Sequence, residues 1–550
     1  MRLCLTAKKI SSSAQLVLTL FALILSSSCR NETLVDDLGE IENGSSDLDT
    51  DTDVDSDVDT DADSDTDTDS DTDSDTDTDT DTDSDTDTEC EPVRTWYEDA
   101  DGDSFGNPDS SIEACEQPEG YVEDSTDCAD GDETAFPGSH AIEVPFDGVD
   151  QDCDGLDVCR DFNCDGWPDI VFAQTDNNDD HTIQSPIFFG SDSGYSIGDR
   201  IELPTIGAMG VDAADVNNDG YIDLVFASSK NGLLQEVNSL VYYNSGQGFD
   251  EANRSGLPTV SCYDATIADV DQDGWDDIVF ANRYLGDGLT PDDYLINSYL
   301  YWGSVDGYSV SNRTELPTVG ASRSRVADLD EDGDNEVVFA HGVIQTTATY
   351  SFIYWGGDEN YGVNNRSSVQ TQFAEGLAIE DVNDDGFWDI IFTSWMCTGC
   401  QGNYIYFGDA SGEYSASNRL TINGAIGSTD ARVADLDGDG QKDIVFANGG
   451  IAPTGIADKS YVYFQSNGDF PKEGRLELPT SACAATDIGD LNGDGNIDIV
   501  FASHFAPEGG GLEVSQIYWG AAGGEYGPHN LTELRTTHAA GVKIVGSVFK

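Results

Sequence analysis

Positive charge is what this chain most conspicuously lacks. Its 550 residues hold 23 Lys and Arg against 108 Asp and Glu, a formal charge of -85. Without clustered Lys and Arg nothing draws a phosphate backbone or an anionic headgroup, which excludes nucleic acid as a partner. Histidine is scarce at 6, and none pairs with a nucleophile motif, so acid–base or nucleophilic catalysis has little to work with. Long hydrophobic runs are also missing. The main apolar stretch, Leu16 to Leu25, has ten residues, half of the roughly 20 that a membrane span needs. Cations are the natural counterpart of such a surface. Hydrophobic residues at 38% and aromatics at 10% still supply a core, and the length suits about three or four ordinary domains.

Arg2, Lys8 and Lys9, the apolar stretch, and Ser26, Ser27, Ser28 and Cys29 together have the layout of a secretory signal over residues 1–28. LSSSCR resembles a bacterial lipoprotein processing site, with Leu25 one residue further from the cysteine than usual. The resemblance implies an outer-membrane lipoprotein if Cys29 is lipidated, and a secreted protein otherwise. The only membrane contact expected is that anchor. Residues 29–89 read as a disordered linker: from Asp47 to Asp87 every second residue is Asp, 21 in all, and mutual repulsion with Thr and Ser between leaves no core to form.

Residues 90–157 are rich in Cys, Asp and Gly and poor in apolar residues, so disulfides and metal must hold them. Cys90, Cys115, Cys128, Cys153, Cys159 and Cys164 crowd in or beside this stretch, and an exported protein oxidises them. Asp99, Asp101 and Asp103, and again Asp150, Asp152 and Asp154, place carboxylates on alternate residues, as a hard cation requires. WYEDADGDSFG, the DC step at Asp127 and Cys128, and DGVDQDCDG resemble the metal-binding motif of bacterial surface proteins of the MopE type. One such relative is linked with copper, but a segment with only His140 and no Met suits calcium better.

From residue 158 to 550 the chain repeats itself. DFNCDGWPDIVFA at Asp161 recurs in kindred form at Asp215, Asp269, Asp328, Asp381, Asp435 and Asp490, at intervals of 54, 54, 59, 53, 54 and 55 residues. Oxygen-bearing side chains at positions 1, 3 and 5, a turn-permitting Gly at 6, a variable residue at 7 offering its carbonyl, and an acid at 9 make a calcium loop. The expected ligands are Asp161, Asn163, Asp165, Trp167 and Asp169 in the first loop, and Asp215, Asn217, Asp219, Tyr221 and Asp223 in the second. Asp269, Asp271, Asp273, Trp275 and Asp277 form the third, and Asp328, Asp330, Asp332, Asp334 and Glu336 the fourth. The fifth has Asp381, Asn383, Asp385, Phe387 and Asp389; the sixth Asp435, Asp437, Asp439, Gln441 and Asp443; the seventh Asp490, Asn492, Asp494, Asn496 and Asp498. Position 12 is Phe throughout, inside a β-branched run, so strands rather than helices flank each loop.

Each unit adds an aromatic strand such as LYWG at Leu300 and an outer strand such as RTELPT at Arg313. Four strands per unit predict an all-β fold, a seven-bladed propeller in which the C-terminal LRTTHAAGVKIVGSVFK supplies the strand that the first unit lacks. The repeats resemble the FG-GAP or VCBS repeats of the integrin alpha-subunit propeller. That resemblance implies about seven bound Ca2+ and a role in adhesion or recognition of an extracellular protein or glycan, by a chain expected to be a monomer.

Recognition is expected on the face opposite the calcium hairpins, where NRYLGDGLTPDDYLINS at Asn282 is the longest connection and Tyr284, Trp395 and Phe505 are the candidate exposed aromatics. Arg323, Arg325 and Arg432 among Asp264, Asp430 and Asp487 read as a charge-compensated channel lining. Cys262 and Cys483 are expected as buried thiols, and Met396, Cys397 and Cys400 as a local disulfide rather than a soft-metal site. Asn253, Asn312, Asn365 and Asn530 head sequons that follow the repeat. Two other functions compete. A calcium-assisted polysaccharide lyase, or another carbohydrate-active enzyme, would have to draw its base from Lys230 or Arg283, and a metal-scavenging surface protein would use the cysteine-rich module.

Overall fold

The computed structural model describes residues 93–137, 139, 149–151, 153, 158–175, 182–342, 349–357, 361–395, 402–425, 427–451, 455–456, 459–504 and 514–547. Asp152, Asp154, His140, Cys29, Cys90, the acidic linker, Met396, Cys397, Cys400 and Phe505 lie outside the described residues. The chain divides into two units, Met1–Val93 and Arg94–Lys550, and every described strand belongs to the second.

Strands dominate. Among the described residues there are two short 3-10 turns and no α-helix, and no helix long and apolar enough to cross a membrane. A three-stranded sheet sets Arg94–Glu98 between Ser111–Ala114 and Tyr121–Val122. Seven four-stranded antiparallel sheets come after it among the described residues, one per repeat. The third shows the pattern: Cys262–Ala268, then Asp277–Asn282 after the acidic loop, then Leu295–Tyr301, then Arg313–Val319. The first is assembled from segments far apart in sequence, because Ala539–Val545 pairs antiparallel with Asp169–Gln174, Val545 opposite Asp169.

The strand after each loop is buried on both faces along its whole length, as in Asp169–Gln174 and Asp498–Ser503. That is why it reads IVFA rather than alternating. The invariant Phe at position 12 meets the aromatic strand of its own sheet edge to face: Phe172 with Phe188, Phe280 with Tyr301 and Phe501 with Tyr518, at centroid distances of 6.0, 5.8 and 6.0 Å. In six sheets that partner is a tyrosine whose hydroxyl donates to a backbone carbonyl of the preceding sheet's outer segment, for instance Tyr242 to Pro204, Tyr301 to Pro258 and Tyr463 to Asn423. An outer-strand arginine braces the same joint, Arg313 donating to the Tyr301 hydroxyl. The first sheet has Phe188 there, and Arg200 instead reaches the Arg535 carbonyl at 3.1 Å in the outer strand of the seventh sheet.

Inner strands meet through carboxylates. Asp212 accepts from the Ile267 N–H, Asp264 from Ser324, Asp430 from Thr486 and Asp487 from Ile544, each tying one sheet to the next. These acids line a cavity of about 260 Å³ with Arg323, Arg325, Arg432 and Lys543. Lys543 pairs with Asp212 at 2.7 Å, Arg325 with Asp264 at 3.1 Å, and Arg432 with Asp487 at 2.9 Å and Asp430 at 3.2 Å. The lining is charge-compensated.

Cys128 bonds Cys153, Cys159 bonds Cys164, and Cys115 is also in a disulfide. Cys262 and Cys483 are free and buried. The sequons follow the repeat for a structural reason: Asn253, Asn312, Asn365 and Asn530 each donate a side-chain N–H to a carbonyl at the end of the aromatic strand.

Candidate metal loops

Each acidic loop is wound by its own first residue. In all seven, one oxygen of the position-1 carboxylate accepts the position-5 amide and the other accepts the position-6 glycine amide; for Asp269 these are Asp273 N–H at 3.0 Å and Gly274 N–H at 2.9 Å. The glycine takes a left-handed backbone every time, from φ 73° at Gly166 to 96° at Gly333. The position-7 amide points inward to the position-5 carboxylate, as Trp275 N–H does to Asp273 at 2.9 Å. Its side chain is left free to vary.

The sequence reading missed a second left-handed residue at position 4: Cys164, Asn218, Gln272, Glu331, Asp384, Gly438 and Gly493 all have φ between 55° and 75°. Asn, Asp and Gly at four of these positions were the available signal.

Carboxylate oxygens converge in the third and fourth loops, where all three early positions are acids. One from each of Asp269, Asp271 and Asp273 lie within 4.8 Å of one another, as do those of Asp328, Asp330 and Asp332. In the other loops Asn163, Asn217, Asn383 and Asn492 offer amide oxygens at position 3. An all-oxygen set suits calcium and not a soft metal.

The position-9 acid has a role beyond the one its spacing suggests. Asp277 accepts the Val270 N–H of its own loop at 2.9 Å and the Gly303 N–H beyond the aromatic strand at 2.7 Å. Asp169, Glu336, Asp389, Asp443 and Asp498 do the same. The acid therefore ties the loop to the third strand. Each oxygen so used retains a lone pair for a cation, and Asp223 Oδ2 is buried with no hydrogen-bond partner. Burial, helped by the neighbouring loop carboxylates, pushes the position-9 carboxyls up: Asp223 to about 8, Asp277, Glu336, Asp389, Asp443 and Asp498 to about 7, and Asp169 well above its ordinary range. A divalent ion beside them would offset that penalty.

On the opposite face two expectations need correction. Tyr284 is half-buried, set edge-on to Tyr263 and tilted against Tyr294 of its own loop, and Trp395 is half-buried with a buried indole N–H. The Tyr284 ring is thus engaged by Tyr263 and Tyr294, and neither side chain stands fully exposed. Arg283 is likewise not a free base: only 5% exposed, it grips both oxygens of Glu375, donates to the Gly342 carbonyl and lies 4.5 Å over the Tyr263 ring.

Exposed leucines occupy the face instead. Leu233 is fully exposed and Leu234 65% exposed on one connection, with Leu285 at 47% and Leu289 at 45% on the next. Gly286 N–H donates to Gln235 Oε1 at 2.7 Å and holds the two connections together.

A model of the FG-GAP-like repeat matches residues 161–226, 215–280 and 381–446. The chain is 27% identical to integrin alpha-V of Gallus gallus over 164 residues, covering 26% of this chain and 15% of the integrin. It is 30% identical to the phosphatidylinositol-glycan-specific phospholipase D of Rattus norvegicus over 174 residues, 26% of this chain and 20% of that protein. The matched stretch is thus a small part of either relative. Among solved structures, a protein from Lactobacillus plantarum aligns over 69% of this chain and 99% of its own, at a TM-score of 0.45 and 12% identity. A candidate 6-phosphogluconolactonase from Bacteroides uniformis aligns over 69% and 100%, at a TM-score of 0.45 and 11% identity. Sequence spacing, loop geometry and the matched family model agree that this chain carries FG-GAP-like repeats.

Proposed function

We propose that this is an exported, calcium-stabilised seven-bladed propeller that recognises an extracellular protein through the connections opposite its metal loops. The observation that carries the reading is the leucine cluster on two connections tied to each other, Leu233, Leu234, Leu285 and Leu289. Exposed aliphatic side chains grouped on one face favour burial against a partner. Exposed Asp287, Asp292 and Glu236 around them suit a partner whose apolar patch has a basic rim. Sugar stacking has less support, since the Tyr284 ring is engaged by its own loop.

Pairing of Ala539–Val545 with Asp169–Gln174 and the Arg200 contact to Arg535 support a ring closed by both ends of the domain. The hydrogen-bonded oxygen loops support about seven calcium ions. Export, with lipidation at Cys29 as an anchor, rests on the signal layout and fits the disulfides. A lyase loses one of its two candidate bases to the Arg283–Glu375 pair. Screening the protein against an array of extracellular proteins and glycans tests the reading. A protein partner whose binding falls at least tenfold in Leu233→Ser/Leu289→Ser supports it; unsaturated products from a polysaccharide panel would overturn it.

A further inference from the structure

In the first three acidic loops the left-handed residue at position 4 ties its own loop to the next one. Asn218, position 4 of the second loop, donates a side-chain N–H to the carbonyl of Gly274, position 6 of the third, at 3.0 Å. Gln272, position 4 of the third loop, donates in the same way to the carbonyl of Gly333, position 6 of the fourth. The first loop makes the link by another route. Its position-4 residue, Cys164, is disulfide-bonded to Cys159, whose backbone N–H donates to the carbonyl of Gly220 in the second loop at 3.0 Å. Asn335 returns the contact from the fourth loop to the third, donating to the Asp269 carbonyl at 3.0 Å.

The chemistry of position 4 ends the series there. Glu331 and Asp384 carry carboxylates, which when ionised only accept, and Gly438 and Gly493 have no side chain. A contact to the fifth loop does come from the sixth sheet, Gln465 donating to the Val382 carbonyl at 2.8 Å, but it starts beyond the aromatic strand and not in another loop. What the linked carbonyl's peptide does on its other side gives the links their meaning. The Gly274–Trp275 peptide has its oxygen held by Asn218, and it donates its N–H to Asp273 Oδ1 at 2.9 Å. The Gly220–Tyr221 and Gly333–Asp334 peptides are likewise held from Cys159 and Gln272, and donate to Asp219 and Asp332. Those three acceptors are the position-5 carboxylates of the metal loops. Ordering one loop therefore fixes its position-4 residue, and through it the peptide that orients a carboxylate in the next, so entropy lost on filling the first is not lost again on filling the second.

We propose, resting on the calcium reading of these loops, that the first four fill as a coupled group while the last three fill independently of them. Each occupied loop raises its neighbour's affinity by about threefold, the scale of one exposed hydrogen bond.

Hydrogen exchange read by mass spectrometry through a calcium titration of the full chain gives a midpoint for each loop. In Asp269→Asn/Asp271→Asn, which disables the third loop, the midpoints of the second and fourth should rise by about threefold and those of the fifth to seventh should hold. Gln272→Met/Asn335→Ala cuts both direct side-chain links between the third and fourth loops. In that background, disabling the third loop should leave the fourth loop's midpoint in place. Equal shifts with and without the links overturn the proposal, and so do second and fourth loops that stay put when the third is disabled. Should the double aspartate variant fail to fold, Asp271→Asn alone weakens the third loop more mildly and is judged by the same outcomes. Protection of all the loops at midpoints independent of one another sinks the coupling alone, whereas a chain in which calcium protects no loop sinks the calcium reading and the coupling with it.

Discussion

Gly342 has no side chain because an ion pair passes over it. A Cβ there would sit 2.6 Å from Glu375 Oε2 and 3.0 Å from Arg283 Nη2. The pair is largely withdrawn from water, at 6% and 13% side-chain exposure, so displacing one partner would leave a buried charge uncompensated. Gly342→Ala should destabilise the domain by about 2 kcal/mol in denaturant unfolding, below the full loss of a buried pair because Glu375 has room to shift. In an Arg283→Met/Glu375→Leu background most of that penalty should vanish. Equal penalties in both backgrounds would place the strain in the backbone instead. The sequence offered no hint of this contact: Arg283 belongs to the third repeat, Gly342 to the fourth and Glu375 to the fifth, and a pattern read within repeats is blind to partners across them.

The element that repeats most faithfully is the loop with its flanking strands, and its reading from sequence succeeded where one residue type satisfies one constraint. Gly at position 6 must reach positive φ, and Phe at position 12 must fill the space beside an aromatic strand. Position 4 escaped notice because Cys164, Gln272 and Glu331 adopt the same left-handed backbone as Gly438, held there by the loop's hydrogen bonds rather than by preference. The tyrosine joint escaped for another reason: its acceptor is a main-chain carbonyl, which leaves no mark on the neighbouring repeat. Tyr301→Phe keeps the edge-to-face packing but removes the bond to Pro258, and should cost about 1 kcal/mol. Tyr301→Ala also opens a cavity and should cost about 3–5 kcal/mol. Both are read from unfolding midpoints; a Phe variant as damaging as Ala would mean that the hydroxyl, not the ring, joins the sheets. Exposure of loop aromatics was the least legible feature, since Tyr284 packs on Tyr294 only ten residues away.

Across the whole molecule the carboxylates act together, and pH reveals how. With no divalent ion bound, burial raises the position-9 carboxyls to about 7 or 8, far above the 3.8 of an exposed aspartate. The folded chain then binds more protons than the unfolded chain between pH 4 and 8, so stability falls as pH rises through that window. Repulsion within a chain of formal charge -85 acts in the same direction. In chelator the melting temperature should therefore drop steadily from pH 5 to pH 8. On the proposed reading calcium should invert the dependence, because it would bind the deprotonated loops of the folded state and compete with the protons: millimolar calcium should restore the melting temperature most at pH 8 and least at pH 5. Sodium chloride at equal ionic strength relieves the long-range repulsion without entering the loops, and should recover only part of the loss. If salt alone restores the full melting temperature at pH 8, the loops are anionic ornaments on a fold that needs only screening.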